Sequence, residues 1–211
     1  MNGCIQVIDV SAAQGAIDWG KVAASGISQA RIKIYDGNEG PDACAVANVT
    51  CALANGIAVT PYCAAFPLPV AAGHSARDAA SQVRLFVSMA RMLKLDASRL
   101  YLDYEWPGVP DLPKWGQTLS GVLNWAVTAK HAAQALGMSV GTYVGQYYAD
   151  AVGFCTVPDF AEDNPLWLAD YRPEPHTPGP WTDWQAWQWT NLGTCPGIQT
   201  KVDLSWVRVT S

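Results

Sequence analysis

Residues 100–106 read LYLDYEW, with Asp103 and Glu105 one residue apart at the end of a short apolar run. In an extended segment residues i and i+2 face the same side, so the two Cβ atoms lie ~6.5–7 Å apart on one surface. Carboxylates crowded on a poorly solvated surface raise one another's pKa, so that one can hold a proton while another stays ionised. That division is what glycosidic bond cleavage requires. Other acids end other apolar runs: Asp9 closes CIQVIDV, Asp36 follows QARIKIY, and Asp203 interrupts KVDLSWV, while Tyr62 ends the run GIAVTPY. Any one of these acids reads equally well as a helix cap or a salt-bridge partner. Several on one rim suggest a shared task.

The aromatic residues point the same way. Ten tryptophans and eight tyrosines exceed what a core of this size needs, even with Trp19 and Trp125 assigned to buried packing. Trp167, Tyr171, Trp184, Trp187 and Trp189 fall on expected strand ends and loops, where flat rings with a polar edge suit sugar faces. A Trp-rich mini-core bracing the last strands is the equal alternative.

The elements that would position these groups follow from the pattern of apolar residues. CIQVIDV, QARIKIY, GIAVTPYC, RLYLDYE and MSVGTYV are rich in β-branched or aromatic residues and read as strands. Helical patterns lie between them. Asp18 caps WGKVAASG, which ends at Gly26; DACAVANVTCALANG runs to Gly56; and residues 76–94 and 114–136 give the two longest helices. Repeated strand–helix alternation implies a parallel sheet, and five such units followed by further strands favour a closed barrel, whose functional groups gather where strands end. From Pro158 onward prolines and tryptophans crowd the chain, with short strands near 166–170 and 185–190 and no long helix.

Composition sets the limits. A chain of 211 residues with 50% hydrophobic and 15% charged residues supports one substantial core, read as a single domain over 1–211. The formal charge of -5, with no basic stripe, argues against nucleic-acid binding. No apolar run is long enough to span a membrane, and the opening MNGCIQVIDVS lacks the features of a secretory signal. The six cysteines, Cys4, Cys44, Cys51, Cys63, Cys155 and Cys195, form no CxxC and read as buried free thiols. His74, His131 and His176 match no metal spacing and read as surface or structural residues, so neither a metal nor a cofactor is expected. An amidase or endopeptidase is disfavoured for want of a zinc-ligand set or a Cys–His pair.

The segments IDVSAAQGAIDW (8–19), KIYDG (33–37), LYLDYE (100–105), LWLADY (166–171), WQAWQW (184–189) and CPGIQTKVDLSWV (195–207) occur in an order and spacing that resembles glycoside hydrolase family 25, the Chalaropsis-type lysozymes. The resemblance covers nearly the whole chain. The opening D-V-S-x-x-Q-G with a following D-W is its most specific part, whereas D-x-E at a strand end is weak alone. It implies an α/β fold, an irregular TIM-like (β/α)5(β)3 barrel, and N-acetylmuramidase activity on the β-1,4 bonds of bacterial peptidoglycan. Carried over by position, Glu105 is the general acid and base and Asp103 its neighbour that orients the substrate acetamido group, with Asp9 and Asp203 as the remaining acids. Tyr62, Tyr35, Asp36, Tyr143, Trp167, Tyr171 and Gln188 are the residues expected to bind substrate. Glu105 is expected to sit deeper and stay protonated, with Asp103 ionised.

Two departures stand out: KIYDG replaces the commoner K-A-T-E-G, and PYCAAFPLP lacks an aromatic–His pair after the tyrosine. The competing readings are a catalytically idle wall-binding or virion relative, which would have lost one of the acids, and a glucosaminidase on the same barrel. The absence of a signal and of wall-binding repeats resembles a phage endolysin, made in the host cytoplasm as a monomer and released through a holin. A prophage gene or a tail-associated lysin would look the same.

Overall fold

The computed structural model describes residues 3–67, 78–96 and 99–209. Among the described residues there are nine strands: β1 (Cys4–Val10), β2 (Gln29–Asp36), β3 (Gly40–Pro41), β4 (Ala58–Ala64), β5 (Arg99–Tyr104), β6 (Ser139–Gly145), β7 (Leu166–Ala169), β8 (Ala186–Gly193) and β9 (Val202–Arg208). The helices are α1 (Trp19–Ala24), α2 (Ala45–Ala54), α3 (Ala79–Met92), α4 (Leu119–Ala135) and α5 (Gln146–Val152). Hydrogen-bonded neighbours run β1-β9-β8-β7-β6-β5-β4-β2, and a parallel β1–β2 pairing closes the ring, leaving β3 as a short appendage on β2. All pairings from β1 through β2 and β4 to β8 are parallel; β9 returns antiparallel to both β8 and β1. Five strand–helix units and three further strands are what the family resemblance implies.

Two cores follow from the period-2 alternation of strand side chains. Outward-facing Ile8, Ile32, Ile34, Leu100, Leu102, Val140, Val144, Leu166 and Leu168 are buried beneath the helices. Inward-facing Val7, Tyr101, Tyr143, Trp167, Ala186 and Val207 fill the barrel interior. The C-terminal ends of the parallel strands present Asp9, Lys33, Tyr62 and Asp103 inward, with Asp9 and Asp103 following the apolar inward positions Val7 and Tyr101 on their strands.

Helix boundaries differ from the sequence reading in instructive ways. The helix expected over 76–94 is α3, begun by Asp78, whose side chain accepts from the Ser81 N–H at 2.8 Å; residues 76 and 77 lie outside the described residues. The helix expected from 114 begins at Leu119, because the proline-bearing 3-10 turn Val109–Trp115 stops at Gly116 in a left-handed conformation. Thr118 then caps α4 by accepting from the Gly121 N–H at 3.0 Å. The thiols also depart from expectation: Cys63 and Cys195 are buried, but Cys51 and Cys155 are exposed and Cys4 and Cys44 are half-buried. His131 and His176 are exposed, and His74 lies outside the described residues.

Candidate active site

The end of β1 is turned by its own side chains. Ser11 Oγ accepts from the Ala13 N–H at 3.2 Å while Gln14 Oε1 accepts from the Ser11 N–H at 2.8 Å, a reciprocal cap that redirects the chain immediately after Asp9. Gln14 Nε2 also donates to the Lys201 carbonyl at 3.3 Å, tying this turn to the approach to β9 and hence to Asp203. Gly197 accepts from the Asp18 N–H at 2.9 Å with a positive φ of 96°, and a Cβ there would strike the Asp18 carbonyl. The D-V-S-x-x-Q-G and P-G-I segments are therefore two halves of one joint between β1, α1 and β9.

A second support holds the opposite side. Gln82 of α3 is fully buried and clamps the Phe66 backbone, accepting from its N–H at 3.1 Å and donating to its carbonyl at 2.8 Å. Phe66 stacks on Trp106, with ring centroids 4.1 Å apart, and Trp115 meets Trp106 edge-on at 4.8 Å. Trp106, which directly follows Glu105, is thus a braced aromatic wall with 38% of its surface exposed.

Between these supports lies a cavity of ≈ 330 Å³ lined by Asp9, Asp36, Asp103, Glu105 and Asp203 together with Ser11, Gln14, Lys33, Tyr62 and Trp106. Asp103 is the buried member of the opening pair, 7% exposed, and its Oδ1 has no hydrogen-bond partner among the described residues. Burial, then the charge of Glu105, hold its pKa well above the usual carboxylate range. Glu105 stands just past the end of β5 with part of its side chain in solvent, yet the protein around its carboxyl desolvates it, and this together with Asp203 pushes its pKa up. Burial also raises Asp203. Asp9 is 4% exposed, and burial pushes it to about 7 against the pull of Arg31 and of the Ser205 hydroxyl, which donates to Oδ2 at 2.7 Å. Four acids in one cavity thus hold protons more tightly than free carboxyls do.

Gln188 of β8 organises the rear of the site. Its Oε1 accepts from the Tyr143 hydroxyl at 3.0 Å and the Tyr171 hydroxyl at 2.9 Å, while its Nε2 lies 3.4 Å from Oδ2 of both Asp9 and Asp203. Burial, followed by Asp103, holds the Tyr62 hydroxyl well above its usual pKa; burial, followed by Glu105, does the same at Tyr143. Both phenols therefore stay neutral and can donate. Asp36 is fixed by the Asn38 and Glu39 N–H groups at 2.9 and 3.2 Å, and Lys33 Nζ lies 3.7 Å from its Oδ2.

The sequence pattern of Glycosyl hydrolases family 25 matches residues 8–198. The chain belongs to that family. It is 26% identical over 210 residues to Lysozyme M1 of Streptomyces globisporus, covering 94% of this chain and 66% of that relative's length. The fold is similar to the bacterial lysozyme from Streptomyces coelicolor, with a TM-score of 0.79 and 22% identity over 100% of this chain and 95% of that one. It is also similar to the catalytic domain of an endolysin from a bacteriophage of Listeria monocytogenes, with a TM-score of 0.69 and 20% identity over 97% and 93% of the two chains. Family 25 membership, the α/β barrel and its (β/α)5(β)3 order all agree with the sequence reading.

Within that family frame, the barrel brings Asp9, Asp36, Tyr62, Asp103, Glu105 and Asp203 together in one cavity, with Tyr143, Tyr171 and Gln188 directly behind the acids. It does not bring Tyr35 there: the β2–β4 register shifts between Lys33 and Tyr35, and the Tyr35 ring packs on Phe86 of α3, centroids 5.4 Å apart. Trp167, 1% exposed, lies inside the barrel, its Nε1 donating to Ser205 Oγ at 3.1 Å. Trp184 and Trp187 are buried, and Trp189 is partly buried against the same core, so the mini-core reading holds for these residues. The expected depth order is reversed as well, since Asp103 is buried and Glu105 is at the mouth, and the expectation of an ionised Asp103 is overturned with it, because burial and the charge of Glu105 favour its protonated form. Trp106, Lys33, Ser11 and Gln14 line the cavity without having been singled out. Each had a signal: Ser11 and Gln14 are the S and Q of the D-V-S-x-x-Q-G motif, Trp106 directly follows Glu105, and Lys33 lies two residues beyond Arg31 on the inward face of β2.

Proposed function

We propose that this chain is a peptidoglycan hydrolase, an N-acetylmuramidase that cleaves the β-1,4 bond following N-acetylmuramic acid. The observation that carries the reading is the cavity at the strand ends in which Asp9, Asp103, Glu105 and Asp203 meet, each with its proton affinity raised. Glu105, at the mouth and protonated more readily than a free carboxyl, delivers a proton to the leaving glycosidic oxygen. It then takes one back from the incoming water.

Asp103 Oδ1 is a buried acceptor without a donor, and a buried unpaired acceptor is costly until something fills it. The acetamido N–H of the sugar supplies that donor. Held so, the acetamido carbonyl oxygen is aimed at the anomeric carbon, where it attacks as the glycosidic bond breaks; water then opens the resulting ring with retention. Asp9 and Asp203 add negative charge near a centre that becomes cationic in the transition state. Trp106 offers an exposed ring for a sugar face beside the acid.

The partner is bacterial peptidoglycan, with no role for nucleic acid. Among the described residues no helix is long and apolar enough to cross a membrane. Likeness to a phage endolysin domain supports a lytic enzyme made in a host cytoplasm that acts on the wall after release. Mass spectrometry of digested peptidoglycan tests the reading. Muropeptides ending in reducible N-acetylmuramic acid with intact stem peptides are expected; new N-acetylglucosamine ends, or free stem peptides, would replace it.

A further inference from the structure

β2 carries a second charged group into the barrel, beneath the acids. Arg31 and Asp9 are direct partners in the parallel β1–β2 ladder, so both side chains project into the same interior. Arg31 is only 2% exposed, and its guanidinium carbon lies 4.3 Å from the Tyr101 ring centroid and 4.1 Å from that of Trp167. A guanidinium keeps its charge in such a place, and aromatic faces offset part of the desolvation. Its Nε and Nη1 have no hydrogen-bond partner among the described residues, and neither does Oδ1 of Asp9. The two groups with unmet hydrogen-bonding capacity carry opposite charges on neighbouring strands.

Trp167 links them a second time. The ring that stacks on Arg31 donates from Nε1 to Ser205 Oγ, and Ser205 donates onward to Asp9 Oδ2. Arg31 does not line the acid cavity; it lines a separate cavity of ≈ 660 Å³ whose walls are at the opposite, N-terminal ends of the strands. It is therefore out of reach of a substrate lying among the acids.

We propose that Arg31 is a positioning residue, a buried cation clamped between Tyr101 and Trp167 behind the floor of the groove that eases ionisation of Asp9 and, through Trp167 and Ser205, aims its carboxyl at the substrate. The charged or titratable groups facing Asp9 from the surrounding elements are Asp203 on β9, Asp103 and Glu105 at the end of β5, Tyr62 on β4, Lys33 and Arg31 on β2, and Tyr171 after β7. Neutral Ser205 and Gln188 complete the shell. Of the two cations, Lys33 faces Asp36, which leaves Arg31 as the one whose charge acts chiefly on Asp9.

This inference deepens the muramidase reading and rests on it for Asp9's task, but the Asp9 carboxyl can be followed without any substrate. Carbon-13 NMR of protein labelled at aspartate carboxyls, with the Asp9 signal assigned by its loss in Asp9→Asn, reads the titration directly. In the parent protein Asp9 should titrate at about 7; in Arg31→Met and Arg31→Gln it should move up by ~1–2 units, and in Arg31→Lys it should return most of the way. The acid limb of kcat/KM on peptidoglycan should move with it, whereas a merely structural role would lower the rate without moving the limb. An unchanged Asp9 titration in either neutral variant overturns the proposal. The parent protein gives a second reading that needs no variant to fold: an Asp9 midpoint at ~8–9, the range of carboxyls buried without a cation, equally overturns it. Failure to release muramic acid ends with the Asp9 shift present would instead count against the muramidase reading alone.

Discussion

Asp103 and Glu105 share one face of a strand, yet the rim of the barrel passes between them. Asp103 is paired in the ladder to Ala64 and Tyr143, within the sheet, whereas Glu105 is past the last paired residue of β5. The spacing in the sequence shows that the two carboxyls face the same way; where the rim cuts the strand depends on strand stagger around the whole barrel, so their order of depth was not legible. The proposed roles fit the reversed order, because a carboxyl oxygen can accept an amide N–H in either protonation state. An amide-binding carboxyl is best placed on the buried side, where its oxygen has no water to satisfy it, and a proton donor is best placed where the leaving oxygen and the incoming water can reach it. Glu105→Gln keeps shape but cannot deliver a proton, so turnover should fall by ~10²–10⁴ with wall binding and melting temperature close to parental. A substrate with an activated leaving group should partly rescue Glu105→Gln and leave Asp103→Asn impaired, since the latter misorients the acetamido group. Parental rates on peptidoglycan from purified Glu105→Gln would move the acid assignment to another carboxyl.

Elements were legible where one physical signal dominated. The strands carrying Asp9, Tyr62 and Asp103 were readable as short β-branched or aromatic runs, and the acid set followed because polar residues at the ends of otherwise apolar strands had few alternatives. The tryptophans were not separable, because a ring that packs and a ring that binds sugar leave the same mark in a sequence; only burial assigns Trp167 to the interior and Trp106 to the groove. Arg31 was hidden for a different reason, as one of two charges, with Lys33, in the run QARIKIY, where inward direction is fixed by ladder register. The late start of α4 is a matter of local capping. Thr118 satisfies the Gly121 N–H, while residues 109–116 are spent in a proline-bearing turn. Thr118→Ala should cost about 1 kcal/mol in urea denaturation and leave kcat unchanged, because the cap touches no groove residue. An unshifted unfolding midpoint would mean that packing alone sets this helix end.

Across the whole molecule the shifted carboxyls divide by their partners rather than by depth alone, since buried Asp170 is desolvated yet lowered by its hydrogen bonds from Arg172 and the His176 N–H, and the division fixes how stability depends on pH. Asp18 and Asp78 cap α1 and α3 at the surface, and the Lys21 and Ser81 hydrogen bonds they accept lower their pKa values. Their contribution is present above the unfolded value, ~4, and is lost as pH falls through the lower folded value. The groove acids behave in the opposite sense. Asp9 has a folded pKa of about 7 against 3.8 for an unperturbed carboxyl, so its contribution is fully present below ~4 and is lost as pH rises through about 7. Asp103, Glu105 and Asp203 are shifted in the same direction and add to that loss. The melting temperature should therefore peak at mildly acidic pH and decline toward pH 8. For Asp9 alone the shift corresponds to a ceiling on the order of 4 kcal/mol. Asp9→Asn replaces a group that must ionise by one that cannot, so its melting temperature should fall less between pH 5 and 8 than that of the parent, whatever the absolute values. Thermal unfolding followed by circular dichroism at closely spaced pH values reads this difference. Parallel curves for the two proteins would show that Asp9 ionises in the folded barrel as easily as in the unfolded chain, contrary to its burial among the other groove acids.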